Sequence, residues 1–202
     1  MIRESWSWGV PAHAAGPELE AAVEAMNLRG PFTVDDEAVA LSPRCVELVD
    51  GKFRIVSSAS PLHGYLQVQL AVELSRLVGK RGVVIAECGV RTSGERTLRE
   101  ADVAVYLGWT PGELRGEAWA RVPPDLVVEI LSPSTAAEDR GPKRSEYEAA
   151  GVRELVLVDP DARTVEVFQR VGERLVPLER GPEGWPSPVL GQTWRPDALI
   201  PG

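Results

Sequence analysis

Residues 125–131 read DLVVEIL, and the chain then breaks at Ser132-Pro133-Ser134-Thr135. A short apolar run bounded by turn signals, rich in β-branched residues and without helical spacing, is a strand. Because it is apolar at nearly every position, it is a central strand covered on both faces. Glu129 sits inside it, between Val127, Val128, Ile130 and Leu131. An ionised carboxylate there is costly unless it is paired or bound to a cation. The bland alternative is a Glu face open to water, which the apolar neighbours on both sides oppose. No basic residue lies in the strand, so another element or a metal must supply the counter-charge.

Downstream, residues 138–150 read as a helix ending at Gly151. Residues 154–158 and 164–170 are strands joined by the turn Asp159-Pro160-Asp161-Ala162, and 174–178 reads as one more. Upstream, residues 101–107 (ADVAVYL) alternate as a strand, and 108–124 form a long connection rich in Gly, Pro and Trp. Residues 82–90 are a strand. Leu66, Leu70, Leu74 and Leu77 recur at helical spacing within 61–78, with Gly79 and Gly82 at its end. Residues 46–56 (VELVDGKFRIV) read as a hairpin about Asp50-Gly51. Thr33 before Asp35, Asp36 and Glu37 reads as a helix start. The order is hairpin, helix, three strands, helix, and two or three strands. That is an α/β chain, in the form of an α+β mixed sheet flanked by helices.

The ends differ from the middle. Trp6, Trp8, Pro11 and His13 follow no periodicity, while 17–28 reads as a short helix with Leu19, Val23 and Met26 on one side. Residues 1–30 are expected to be an appendage, packed on the core or on a partner. Residues 31–180 are expected to form the main domain. Residues 181–202, with Trp185, Trp194 and five prolines, form a C-terminal extension packed on it.

The 202 residues suffice for one domain, and 44% hydrophobic with 26% charged residues is ordinary globular composition. The net charge of -8 argues against a protein that coats nucleic acid without regard to sequence. It does not argue against a nuclease, whose cleft gathers carboxylates around a cation. Arg140, Lys143 and Arg144 are the tight basic cluster in the sequence beside that cleft. Cys45 and Cys88 read as reduced core thiols. No run reaches the ~18 apolar residues of a membrane span, and the N-terminal stretch has no apolar signal core. A cytoplasmic location and no membrane contact are expected.

Asp102 opens the strand read at 101–107, where capping is its ordinary use. Beside Glu129 on a neighbouring strand it becomes a second ligand for a hard cation such as Mg²⁺. Lys143 follows on the next helix. It would reach back over the strand end to orient or help deprotonate a metal-bound water, or to stabilise the charged transition state. The commonest fate of such a lysine, and of Asp139, Arg140 and Arg144, is a solvated surface.

The run PDLVVEILSPST, then DRGPK, then YEAAGVRELVLVDP, preceded by VELVDGKF, SPLHGYLQVQL and READVAVYLG, resembles the "putative restriction endonuclease" family expanded in cyanobacteria. The resemblance covers roughly residues 45–170. It implies a restriction-endonuclease-like core of the PD-(D/E)XK nuclease superfamily, with Mg²⁺ (or Mn²⁺) as cofactor and DNA as substrate. Asp102 then matches the Asp of the PD step and Glu129 the acid of the (D/E)XK step, the pair holding the metal. Ala101 stands where that motif has Pro, and Leu131 where it has Lys. The lysine role is thereby moved to Lys143. Glu47 matches a further polar position that would complete the metal site or hold Lys143. His63 matches another, as a phosphate ligand or a helix-start cap. Ser132 and Ser134 read as caps of the following helix. The expected protein is a metal-dependent endodeoxyribonuclease, by analogy a homodimer. The alternatives are a catalytically inactive nuclease-fold module binding nucleic acid or a protein, and a structural protein whose Trp-rich ends mediate oligomers.

Overall fold

The computed structural model describes residues 16–40, 42, 46–56, 60–92, 94–115 and 121–201. Cys45, Trp6, Trp8, Pro11 and His13 lie outside the described residues. Helix α1 spans Pro17–Asn27, α2 Glu37–Ala40, and strands β1 and β2 Val46–Val49 and Lys52–Ile55. Then come α3 (Pro61–Val78), β3 (Gly82–Arg91), β4 (Leu98–Leu107) and β5 (Leu126–Ile130). The crossover helix is α4 (Ala136–Glu138), a π-helical segment (Asp139–Lys143) and α5 (Arg144–Ala150). Strands β6 (Glu154–Asp159), β7 (Thr164–Val171) and β8 (Arg174–Pro177) follow, then the hairpin of β9 (Trp185–Ser187) and β10 (Gln192–Trp194). No helix among the described residues is long and apolar enough to cross a membrane.

Among the described residues, eight strands form one sheet in the order β2-β1-β4-β5-β6-β7-β8, with β3 also paired to β4. Strands β5 and β6 run parallel because a helix connects them, whereas β1–β2 and β6–β7 are tight antiparallel hairpins. Asp50 and Gly51 both have positive φ, 51° and 79°, as the twist of a two-residue hairpin turn requires.

Every residue of β5 is buried. Leu126, Val128 and Ile130 face one core, where Leu66, Leu70 and Leu74 of α3 pack with Val103, Val105 and Val156. Val127 faces the other, where Tyr147 of α5 packs with Ala104, Tyr106 and Leu155. Trp185, Val189, Leu190 and Trp194 are buried in the α3 core, so the C-terminal segment closes that core from the side. Leu19, Val23 and Met26 of α1 pack with Phe32, Leu48 and Phe53 over the β1–β2 hairpin.

Two features of β4 differ from the sequence expectation, and both set up the site. The strand begins at Leu98, so Asp102 stands in its middle rather than at its start. The opening residues Leu98-Arg99-Glu100 put two charges side by side, which hides the strand alternation there. Along one edge, β4 pairs with β1 at Leu98 and with β5 only from Val103 onward. Between these points the sheet forks. Opposite the fork, β3 carries Glu87 at φ 51°, rare for a non-glycine residue. Val83 before it and Cys88 and Val90 after it point into the same core, so strict alternation slips there. Ala101 and Ala104 show the same slip on β4, with Asp102 inside it.

The crossover helix also starts earlier than expected, at Ala136. Pro142 lies within its π-helical segment. Proline has no N–H for the helical ladder and crowds the carbonyl one turn back, which the wider turn accommodates.

Candidate active site

Carboxylates fill the fork. Glu47 of β1 accepts the Glu100 backbone N–H at 3.0 Å. Asp102 Oδ2 accepts the Ile130 N–H at 2.6 Å, on the residue after Glu129. Each satisfies a backbone donor that the parted strands leave without a ladder partner. His63, in the first turn of α3, hydrogen-bonds through Nε2 to Asp102 Oδ1 at 2.9 Å, and Gln67 donates to the Asp102 carbonyl at 3.0 Å.

Lys143 comes off the π-helical segment and its amine enters the same space. It lies 3.2 Å from Glu47 Oε1, 3.5 Å from Glu129 Oε1 and 3.4 Å from Asp139 Oδ1. Tyr147, one turn further on, donates its hydroxyl to Glu129 Oε1 at 2.5 Å. Arg99 donates to Glu47 at 2.9 Å and binds Glu138 and Glu146 with its remaining nitrogens. Glu47, His63, Asp102, Glu129, Asp139 and Lys143 all line one cavity of about 490 Å³.

The electrostatics follow from burial. Glu129 is pushed well above the usual carboxylate range by desolvation, with Lys143 opposing and Asp102 and Asp139 adding to the rise. Burial likewise raises Asp139. Burial would raise Glu47 too, but Lys143 and Arg99 hold it below the ordinary value. Burial works against the charge on Lys143, yet Glu129, Glu47, Asp139 and Asp102 together raise its pKa. It is therefore an ammonium throughout the working range. The hydrogen bond to Asp102 raises His63 despite partial burial.

Carboxylates outnumber cations in the cavity, and the buried Asp139 Oδ1 has the Lys143 amine near it at 3.4 Å but makes no well-aligned hydrogen bond among the described residues. Among those residues, no three His, Cys, Asp or Glu side chains converge closely enough to form a complete metal cage. Mg²⁺ does not need one; it keeps several waters and takes one or two carboxylates plus substrate phosphate. Asp102 and Glu129 both line one cavity rich in carboxylates, which is the oxygen-donor chemistry such an ion takes.

The structure brings Asp102, Glu129, Lys143, Glu47 and His63 together, and it corrects several neighbours. Lys143 and Asp139 are not surface charges; they are 8% and 3% exposed. Arg140 and Arg144 do not join Lys143 in a basic patch. Arg140 pairs with Glu166 and Asp159, and Arg144 stacks over the Phe168 ring. The His63 ring does not cap α3; the Ser60 hydroxyl does, accepting the His63 backbone N–H. Ser132 shares hydrogen bonds with Ser134 and Thr135, and α4 has no side-chain cap. Cys88 is a buried core thiol, raised by burial, beside the Tyr106 hydroxyl. Sequence reasoning missed Arg99, Asp139 and Tyr147. Asp139 and Tyr147 left a trace, standing four residues before and after Lys143 and hence on the same helical face.

A forked mixed sheet flanked by helices, with acids from adjacent strands meeting a lysine, is the architecture of a restriction-endonuclease-like protein. Residues 40–198 match the model of the Uma2 family, described as "putative restriction endonuclease", and the chain belongs to that family. Among solved structures it is similar to a protein from Anabaena variabilis described as a "putative nuclease belonging to DUF820". The TM-score is 0.62, with 18% identity over 86% of this chain and 94% of that one, a likeness of fold. No curated protein matches the chain.

Proposed function

We propose that the chain is a Mg²⁺-dependent endonuclease that hydrolyses phosphodiester bonds of DNA. The observation that carries this reading is the Lys143 amine 3.5 Å from Glu129, in the cavity that Asp102 also lines. In the superfamily motif the lysine stands two residues after the acid, on the same strand. Here that position is Leu131, which is buried in the α5 core. The lysine arrives instead from the crossover helix.

Asp102 and Glu129 would hold the ion. Bound there, Mg²⁺ would supply Lewis-acid polarisation of the phosphate and lower the pKa of the attacking water. Asp102 is oriented for this by His63 and by the Ile130 N–H. Because Lys143 stays charged, it serves as a hydrogen-bond donor and a positive charge for the transition state, not as a proton acceptor. Glu47 holds the lysine amine, and Arg99 holds Glu47.

The working unit proposed is a cytoplasmic homodimer, one site for each DNA strand. The exposed stripe of Leu62, Tyr65, Val68 and Val72 on α3 is an apolar surface such a pairing would cover. Residues 31–180 would be the nuclease unit, with 1–30 an appendage and 181–202 the extension that completes its α3 core.

Supercoiled plasmid incubated with Mg²⁺ or Mn²⁺ tests the reading. Nicking is expected from the native protein and not from Asp102→Asn or Glu129→Gln; cleavage that survives either substitution would sink the assignment. Leu131, standing where the superfamily motif has its lysine, favours the second reading, an inactive nuclease-fold module. That reading requires neither Mg²⁺ binding nor cleavage.

A further inference from the structure

Lys143 and Tyr147 are four residues apart on one helical face, and both reach the same atom, Glu129 Oε1, at 3.5 and 2.5 Å. Their other surroundings differ. Lys143 is shared among Glu47, Asp139 and Glu129 and lines the cavity, so a substrate phosphate competes for its amine. Tyr147 is fully buried, with its ring among Val127, Leu131, Val152 and Leu155, and is not part of the cavity wall. Among the described residues its hydroxyl hydrogen-bonds the Glu129 carboxylate. A phenol donates one proton and stays neutral, so this contact persists whatever charge enters the cavity. Both donors sit on Oε1, which leaves Oε2 as the oxygen presented to a cation.

We propose that Tyr147 is the positioning residue of the metal site: its hydroxyl fixes the Glu129 carboxylate for the cation and so releases Lys143 to serve the substrate. This rests on the reading of Glu129 as a Mg²⁺ ligand. Residues that hold a metal ligand in place commonly account for 10–100-fold in affinity or activity, on the order seen when they are removed. Tyr147 would act through Glu129 and never touch DNA.

The test is calorimetric titration of Mg²⁺ into the full chain without DNA, for the native protein, Tyr147→Phe and Lys143→Met. Tyr147→Phe keeps the ring and removes one oxygen. The result expected is Mg²⁺ binding weaker by roughly 10–100-fold in Tyr147→Phe. Lys143→Met should bind Mg²⁺ as tightly as the native protein or more tightly, since it sheds a competing positive charge, while losing cleavage. In single-turnover assays with saturating Mg²⁺, Tyr147→Phe should keep the native KM for DNA. Mg²⁺ affinity in Tyr147→Phe within twofold of native, even with a lowered Tm, would overturn the proposal and leave only a packing role. If Tyr147→Phe does not fold, Lys143→Met decides. Mg²⁺ binding lost on removing the lysine would mean that Lys143, not Tyr147, holds Glu129. A native protein that binds no Mg²⁺ overturns the nuclease reading itself, which is a distinct outcome.

Discussion

Asp102 Oδ2 accepts the backbone N–H of Ile130 at 2.6 Å, across the fork where β1 and β5 part along β4. One bond thus ties the first acid of the site to the residue next to the second. The separation of the two acids is set by backbone as well as by side-chain rotamers. A site built this way keeps its geometry without a cation, at the cost of burying carboxylates. The charge is then balanced from the other side, by Lys143 and Arg99.

Arg99 carries the structural half of that balance. It is 2% exposed and its guanidinium meets Glu47, Glu138 and Glu146, which lie on three different elements. Removing one partner of a buried ionic cluster leaves uncompensated charge. Arg99→Met is expected to lower stability by about 3–5 kcal/mol in urea unfolding. Arg140→Ala, which breaks half-exposed pairs to Glu166 and Asp159, is expected to cost less than about 1 kcal/mol. Equal costs would contradict the assigned roles.

Glu154 gives the protein a pH signature away from the cavity. It is fully buried, and its Oε2 accepts the Ser187 hydroxyl at 2.6 Å. Its Oε1 has no hydrogen-bond partner among the described residues. Burial pushes it from 4.5 up to about 7, with Ser187 and the Val189 N–H opposing. Between those values the folded state holds a proton that the unfolded state has released. Stability contributed by this group is therefore full below pH about 4.5 and is lost as pH rises toward about 7. In the difference between native protein and Glu154→Gln, the variant should gain up to about 3 kcal/mol over that window. Parallel stability curves across it would contradict this.

If the chain acts on DNA as proposed, its acid-lined cavity should make DNA binding depend on a cation. Glu47, Glu87, Glu100, Asp102, Glu129, Asp139 and Asp161 line it, with Lys143 and His63. Fluorescence anisotropy with a short duplex should show affinity at least roughly tenfold tighter in Ca²⁺ than in EDTA, about 1.4 kcal/mol. Equal affinity in the two buffers would remove the cation from substrate binding.

Much of this was legible in the chain, for local reasons. The leucine spacing located α3 at Pro61–Val78, and Asp50-Gly51 marked the turn between β1 and β2. The apolar run around Glu129 announced a strand buried on both faces. Elsewhere, long-range pairing hid the structure. Arg99 is buried because Glu47 and Glu146 reach it from distant positions, and no window of sequence contains all three. That concealed the first residues of β4 and with them the place of Asp102. Asp139 and Lys143 look like surface charges on an amphipathic helix; the π-helical segment around Pro142 is what turns both inward.

In the proposed centre Lys143, delivered by the crossover helix, joins Asp102 and Glu129. Single-turnover plasmid cleavage in saturating Mg²⁺, comparing native protein with Lys143→Met, tests it most directly. A rate lower by about 10²–10³-fold is expected, the usual loss for one charge-stabilising donor, in a variant that still binds Mg²⁺. Cleavage by Lys143→Met at the native rate would contradict it.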